Sequence, residues 1–552
     1  MSSDFNDDAQ PIIVGSAKNQ EGRQSARHSN NTDMPNRSFS SYCNKWWYFV
    51  AVSFLIGSAG LIIISYLWET QHKDIQKFSV VFDAGSSHTQ LYIYSWESSK
   101  VNGTAVVKQT AAFRSNDHGI QQFSNDPSKL TEALQPYLRF AELNIPADKI
   151  RDTPIYLGAT SGMRLLHQSN DSTAEKILTV IRETFQKSSF KIQKPEQQVR
   201  IINGSEEGTF AWITVNYLSE RLGLKHDSQM FHVINDLTVG ALDLGGASTQ
   251  ITFVPETDTK IPSNFSLSFP LYGHNVKVYT HSFPCYGVNE IIRRYKANLV
   301  KNHLGNSSVI NSPCWLKDSV HNDSASDLFM SPCTKDTRYL TQKEYQFVGT
   351  GNLQECQKNI ESLFSYTKCS YQHCSFNNVF QPLLKNVTFL AFSAYYWTMK
   401  SLNLTQTTDT FTLENFTSVA DSWCNKTWEE ALLVPDLNNT IKKRLCAEAI
   451  YVKTLLSQGL QFTSDKWNLL HFNNSVSGSD LGWALGFMIY TSNSIASETA
   501  KDILSVTTYV LLGILFVIFI FLAIGFGVVA KNHRRQTSFY VTAPNYGSSD
   551  TV

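Results

Sequence analysis

One stretch of this chain occurs twice. Val80–Ile93 reads VVFDAGSSHTQLYI, and Gly240–Phe253 reads GALDLGGASTQITF. Asp83, Gly85, Thr89 and Gln90 recur in register as Asp243, Gly245, Thr249 and Gln250. Each copy predicts an apolar strand, a tight turn and a second apolar strand. Glycine and small residues at the turn let backbone N–H groups approach an anion. Ser86, Ser87, Ser248 and Thr249 add hydroxyl donors. An Asp at the strand end repels phosphate. It suits a divalent cation, held directly or through water, that neutralises phosphate. One such hairpin is ordinary. Two in register predict a clamp on a polyphosphate, one hairpin from each of two lobes.

Two further stretches lie between the copies. Ile155–Leu166, IYLGATSGMRLL, reads as a strand, a turn bounded by Gly158 and Gly162, and a helix start. Thr160 and Ser161 at that helix N-terminus favour an anion or a hydrated metal, although an ordinary strand-to-helix turn reads the same way. Ile201–Trp212, IINGSEEGTFAW, sets Glu206 and Glu207 between glycines. The pair suits either a general base or an acidic first turn stabilised by the helix dipole. The chain lacks a GxxxxGK[ST] loop and a strand-linked GxGxxG, so neither of those nucleotide architectures applies. The hairpins resemble the phosphate loops of the actin, hexokinase and Hsp70 superfamily. That implies an α/β fold of two ribonuclease-H-like lobes with nucleotide in the cleft.

The ends of the chain are of another kind. Trp46–Trp68 and Ile503–Ala530 carry no charged residue, and each exceeds the ~20 residues that cross a bilayer. Trp46, Trp47 and Trp68 sit where interfacial aromatics belong. Lys531, Arg534 and Arg535 place the C-terminal tail in the cytosol by the positive-inside rule. Two spans put residues 69–502 on the opposite side. Of nine cysteines only Cys43 lies outside that region. The other eight suggest four disulfides, with zinc as a rival that the absence of any CxxC disfavours. Twelve N-x-[ST] sequons fall in the same region, at Asn102, Asn170, Asn203, Asn264, Asn306, Asn322, Asn386, Asn403, Asn415, Asn425, Asn438 and Asn473. Glycans would supply solubility that a charged fraction of 17% does not. Asn30 and Asn36 would stay unmodified in a cytosolic tail. With 47 basic and 47 acidic residues, the chain is not one that coats nucleic acid by bulk charge.

DAGSSHT, GATSGMRLL, GSEEGTFAW and ALDLGGASTQ, in this order, resemble the first four signatures of the ecto-nucleoside triphosphate diphosphohydrolase family, the ecto-apyrases. Gly478–Gly486 resembles the fifth. The resemblance covers about 69–502 and both spans. It implies that Glu207 is the catalytic base and that Ser248 and Gln250 hold the attacking water. It implies that Asp83 and Asp243, with Thr160, bind Ca²⁺ or Mg²⁺ through water. Ser86, Ser87 and His88, with Gly245, Gly246 and Ala247, would form the phosphate loops. Tyr396 would stack on the base, and a partner Arg is not placed by spacing, although Arg444 is near. By cysteine order, the family pairs Cys285 with Cys333, Cys314 with Cys356, Cys369 with Cys374 and Cys424 with Cys446. An early disulfide common in surface members is missing, and Asn203 sits against the third signature.

These readings predict a cytosolic tail at 1–45, a span at 46–68, lobe I at 69–203 completed by 474–502, lobe II at 204–473, a span at 503–530 and a cytosolic tail at 531–552. The expected function is metal-assisted hydrolysis of extracellular NTP and NDP to monophosphate at the plasma membrane. A lumenal Golgi or lysosomal diphosphatase and an inert nucleotide-binding receptor are the alternatives. Gly57, Ala59 and Gly60 allow association of spans, within one chain or between copies. The terminal Asp550–Val552 resembles a weak ligand of carboxylate-binding domains.

Overall fold

The computed structural model describes residues 39–72, 75–115, 119–222, 238–256, 259–303, 307–366, 368–384, 387–404, 412–497 and 504–541. Asn30, Asn36, Asn306, Asn386 and the terminal Asp550–Val552 lie outside them. The chain divides into two compact units, one holding both terminal helices and the other residues 74–500.

In the first unit, helices Phe39–His72 and Val506–Val541 carry apolar stretches Lys45–Thr70 and Val506–Arg535, with mean hydropathies of 2.2 and 3.0. Both are long enough to cross a bilayer. The span expected from 503 starts at Val506, because the Ser505 hydroxyl accepts from the Thr508 N–H at 3.2 Å and caps the helix there. The two helices run antiparallel. Trp46 meets Phe526 with ring centroids 5.6 Å apart, and Trp68 meets Tyr509 at 5.0 Å. Gly60 seats the Phe516 ring where a Cβ would come within 2.2 Å of it. Gly57 likewise packs against Phe516 and Ile520 of the second helix.

The second unit repeats one sheet twice. The first sheet uses β1 (Gln76–Ala84), β2 (Thr89–Glu97), β3 (Lys108–Arg114), β4 (Ile155–Ala159) and β5 (Val199–Ile201). Among the described residues eleven more strands follow: β6 (Gly240–Leu244), β7 (Ser248–Phe253), β8 (Ser266–Leu271), β9 (His274–Pro284), β10 (Val309–Ser312), β11 (Val320–Ser324), β12 (Glu344–Gly349), β13 (Phe389–Ser393), β14 (Leu470–Phe472) and the short pair β15 (Ser475–Val476) and β16 (Ser479–Asp480). The first sheet is ordered β3-β2-β1-β4-β5 and the second β8-β9-β7-β6-β13-β14, while β10, β12 and β11 form a small separate sheet. Without its edge strand β8, the second sheet repeats the order and directions of the first. The duplicated hairpins are the matched pairs β1–β2 and β6–β7. Asp83 faces Gln90 across one ladder and Asp243 faces Gln250 across the other.

Three large cores hold this unit, and a fourth, smaller one gathers Ile310, Phe329, Tyr345 and Phe347 around the separate small sheet. Phe82, Ile93, Tyr137, Ile181 and Phe185 bury the outer face of the first sheet against its helices. Ile251, Tyr279, Trp315, Tyr395 and Ile450 do so for the second. The third lies between the sheets and joins residues of both, such as Val81 and Phe392, to helices Gly204–Leu218 and Trp483–Ser492. These two helices touch closely. The Gly486 N–H donates to Thr214 Oγ1 at 2.8 Å.

All eight cysteines of this unit form disulfides: Cys285–Cys333, Cys314–Cys356, Cys369–Cys374 and Cys424–Cys446. The pairing is the one expected by order, and it replaces the zinc alternative, since no thiol is left to bind metal. Of the ten described sequons, Asn415 is half-buried and the other nine are exposed.

A Cβ on Gly486 would lie 1.9 Å from the Phe210 carbonyl oxygen. Gly486→Val is therefore expected to destabilise the protein by about 1–3 kcal/mol through overpacking. Thermal unfolding of the purified protein measures it, and an unchanged midpoint would show that the two helices separate at no cost.

Candidate active site

The paired hairpin turns, the start of helix Ser161–Ser169 and the start of helix Gly204–Leu218 converge on one cleft. Helix Gly204–Leu218 begins with a capping box. Asn203 Oδ1 accepts from the Glu206 N–H at 2.8 Å, and Glu206 Oε2 accepts from the Asn203 N–H at 3.0 Å. Arg200 holds the same Glu206 with two bonds, of 2.8 and 2.9 Å. Glu206 is thus the capping member of the carboxylate pair. Glu207, one residue on, turns inward and is buried.

Glu207 Oε2 accepts from Arg164 Nη2 at 2.7 Å and faces Gln250 Nε2 at 3.1 Å. Ser248 Oγ accepts from Arg164 Nη2 at 3.0 Å and from Gln250 Nε2 at 2.7 Å. With its lone pairs so engaged, the Ser248 hydroxyl proton is free to point at a water or phosphate oxygen. Ser282 Oγ on β9 lies 3.0 Å from Gln250 Nε2. Glu207, Ser248 and Gln250, drawn from two separate signatures, therefore meet in one network.

The motif reading gives no role to two members of that network. Arg164 lies inside the second signature, four residues after Thr160, on the first turn of a helix. Its Nη1 also donates to the Ile202 carbonyl at 2.9 Å, which aims the guanidinium across the cleft. An arginine at such a helix start is a signal that could have been followed. Ser282 sits in an ordinary strand, and nothing in its neighbours marks it.

The carboxylates of the two hairpins differ from Glu207. Asp83 Oδ1 and Asp243 Oδ1 are shut off from solvent and have no hydrogen-bond partner. Burial pushes the Asp83 carboxyl up to about 7, with Trp483 opposing the shift and the Glu207 charge adding to it. Burial and then the Glu207 charge push Asp243 up to about 8, against the Ser393 hydroxyl. Ser393 ends β13 with φ of +58°, a strained conformation for a residue with a side chain, and it stands in register with Leu244 beside that carboxylate. Two carboxylates that each keep one buried oxygen without a partner, near a third carboxylate, fit a divalent cation, which would supply the missing charge. Among the described residues no three His, Cys, Asp or Glu side chains could hold a metal together. Thr160 is buried at the N-terminus of helix Ser161–Ser169. Its N–H donates to the Ala84 carbonyl at 3.1 Å, which ties it to the Asp83 hairpin.

The turns themselves are well held. Gln121 Nε2 donates to the Ser86 carbonyl at 2.5 Å. Burial, then the Arg114 charge, pull His88 down to about 4, so its ring is neutral at physiological pH. Thr249 Oγ1 donates to the Asp243 carbonyl at 2.8 Å and lies 3.2 Å from the Tyr395 hydroxyl. The Ala247 carbonyl accepts from the Cys285 N–H, and those of Gly245 and Gly246 accept from the first turn of helix Val288–Asn302.

Beside this turn lies a cavity of about 300 Å³ whose walls include Asn289, Ile292, Arg293, Trp315, Lys443 and Arg444. Arg444 pairs with Glu448. Tyr396 is half-buried, its ring 5.1 Å from Trp397 and 6.0 Å from Lys400 Nζ. It is not part of the cavity wall.

The family model described as GDA1/CD39 (nucleoside phosphatase) matches residues 69–506. Ectonucleoside triphosphate diphosphohydrolase 1 of Bos taurus is 38% identical over 472 residues, covering 83% of this chain and 90% of its own. Ectonucleoside triphosphate diphosphohydrolase 3 of Homo sapiens is 35% identical over 429 residues, covering 77% and 79%. A crystal structure of nucleoside triphosphate hydrolases from Neospora caninum superposes with a TM-score of 0.56 at 17% identity, covering 80% of this chain and 98% of its own. With the repeated sheet, the facing hairpins and a match over most of its length, the chain belongs to the GDA1/CD39 (nucleoside phosphatase) family.

Proposed function

We propose that this protein hydrolyses nucleoside tri- and diphosphates to the monophosphate and phosphate, by attack of a water on the terminal phosphorus. The observation that carries the reading is the meeting of Glu207, Ser248 and Gln250 between two phosphate-type turns. Phosphoryl transfer needs positioning and neutralised charge more than covalent chemistry. Ser86, Ser87 and His88 from one turn and Gly245, Gly246 and Ala247 from the other would take the phosphates. Ser248 and Gln250 would hold the water, and Glu207 would accept its proton. Arg164 fixes the orientation of Glu207 and Ser248 together. A divalent cation, Ca²⁺ or Mg²⁺, held through water by Asp83, Asp243 and Thr160, would offset the phosphate charge when bound.

The cavity beside Asn289 is of a size to take part of a nucleoside. Its apolar Ile292 and Trp315 and cationic Arg293 and Arg444 suit stacking and charge, which accept any base. Tyr396 is proposed for base stacking on the strength of the resemblance alone. The two apolar helices and the names of the relatives support a plasma-membrane enzyme with residues 69–502 outside and glycosylated. A complete set of reacting groups argues against an inert receptor.

Glu207→Gln is expected to lower kcat by about 10²–10⁴ while leaving export and folding intact. Near-normal phosphate release by the purified variant contradicts the assignment. Arg164→Ala should lower kcat by about tenfold to a hundredfold by releasing the base from its place, with Arg164→Lys recovering little because one ammonium cannot reach three acceptors. Wild-type kcat in Arg164→Ala would show that Glu207 holds its position unaided. Chelation with EDTA should abolish turnover. Added Ca²⁺ or Mg²⁺ should raise the thermal midpoint of the wild type but not of Asp83→Asn or Asp243→Asn. A cation shift that survives both substitutions places the ion elsewhere.

A further inference from the structure

The two phosphate turns are joined by one side chain that belongs to neither. Asn289 stands on the first turn of helix Val288–Asn302, and its Nδ2 donates to Ser87 Oγ at 3.0 Å. Ser87 belongs to the hairpin of the first sheet, 202 residues away in sequence. Asn289 is rigid relative to the second hairpin, because its N–H donates to the Gly246 carbonyl at 2.9 Å and those of Val288 and Glu290 bond the same turn. Its amide orientation is fixed as well. Oδ1 accepts from Arg444 Nη2 at 3.1 Å, so Nδ2 must face Ser87. Arg444 is itself held by Glu448. At Gly246 the turns nearly touch. A Cβ there would lie 2.5 Å from Ser86 Oγ, 2.6 Å from Ser87 Oγ and 2.9 Å from Asn289 Nδ2.

We propose that Asn289 is a positioning residue that clasps the phosphate turn of the first sheet to that of the second and links both to the nucleoside cavity through Arg444. The inference rests on the reading of these turns as phosphate loops. Three consequences follow from the geometry. Ser87 Oγ accepts from Asn289, so its proton is left to donate to a phosphate oxygen. The Asn289–Ser87 bond is exposed, so a phosphate can take it over. Holding the turns together beforehand removes an ordering cost that nucleotide binding would otherwise carry. Loss of the clasp should therefore weaken nucleotide binding, whereas a saturated site, bridged by the nucleotide itself, should still react.

The test uses the full-length protein in detergent micelles. Asn289→Ala is expected to raise KM for ATP, and Kd for a non-hydrolysable ATP analogue, by about tenfold. Its kcat should stay within about threefold of wild type and its thermal midpoint should be unchanged. In a Ser87→Ala background the same substitution should add less than about a twofold change, because its partner is gone. Asn289→Ser, whose hydroxyl is too short to bridge, should give the same split between KM and kcat, and it replaces the Ala variant if that one does not fold. Unchanged KM and Kd, a loss of kcat at constant KM, or an equal rise in KM with and without Ser87 each overturn the proposal. Analogue binding is read without turnover, so this test stands even if Glu207→Gln proves active.

Discussion

Three carboxylates share one cleft, and the fold has to tolerate them. Asp83, Asp243 and Glu207 come from different elements, and their mutual repulsion acts through poorly solvated protein, where charges are felt strongly. Among the described residues, Arg164 is the one cation in an ion pair with any of them, and it reaches only Glu207. The other two keep an oxygen without a partner. A protein selected for stability alone would not keep such an arrangement, since unpaired buried charge is costly. The rest of the site can be understood from this. Under the proposed function, the strained Ser393, the register of Asp83 with Gln90 and Asp243 with Gln250, and the guanidinium of Arg164 would hold negative charge where a cation and a phosphate could meet it.

The repeat makes much of the fold legible in the amino-acid sequence itself. A strand, turn and strand of matched sequence give matched hairpins, and Asp83 and Asp243 occupy equivalent places in them. The disulfide pairing follows from cysteine order under the family resemblance. The rest depends on long-range packing that no local pattern encodes. Which member of Glu206–Glu207 turns inward is decided by Asn203 and Arg200, which claim Glu206 for the helix cap. Ser282 and Asn289 reach the site from a strand and a helix whose sequences look ordinary. The cavity arises where helix Val288–Asn302 passes helix Asn439–Thr454, and the sequence near Tyr396 gives no hint of its position.

The neutral composition also gains a meaning. A nucleotide is a polyanion, yet the two turns proposed to take its phosphates carry no lysine or arginine. The basic residues Arg293, Lys443 and Arg444 line the cavity beside them instead. Under the proposed function, such turns would take the phosphates best as a metal complex, whose cation offsets the phosphate charge.

The core between the two sheets has a consequence for synthesis. Helix Gly204–Leu218 packs against helix Trp483–Ser492, which is made some 265 residues later. At ribosomal rates the earlier helix waits for roughly tens of seconds with an apolar face uncovered. Neither half of the duplication can therefore mature alone as it emerges. The nascent chain would depend on holding factors until its last soluble helix arrives, and a truncation before Trp483 would leave the segment carrying Glu207 without its partner.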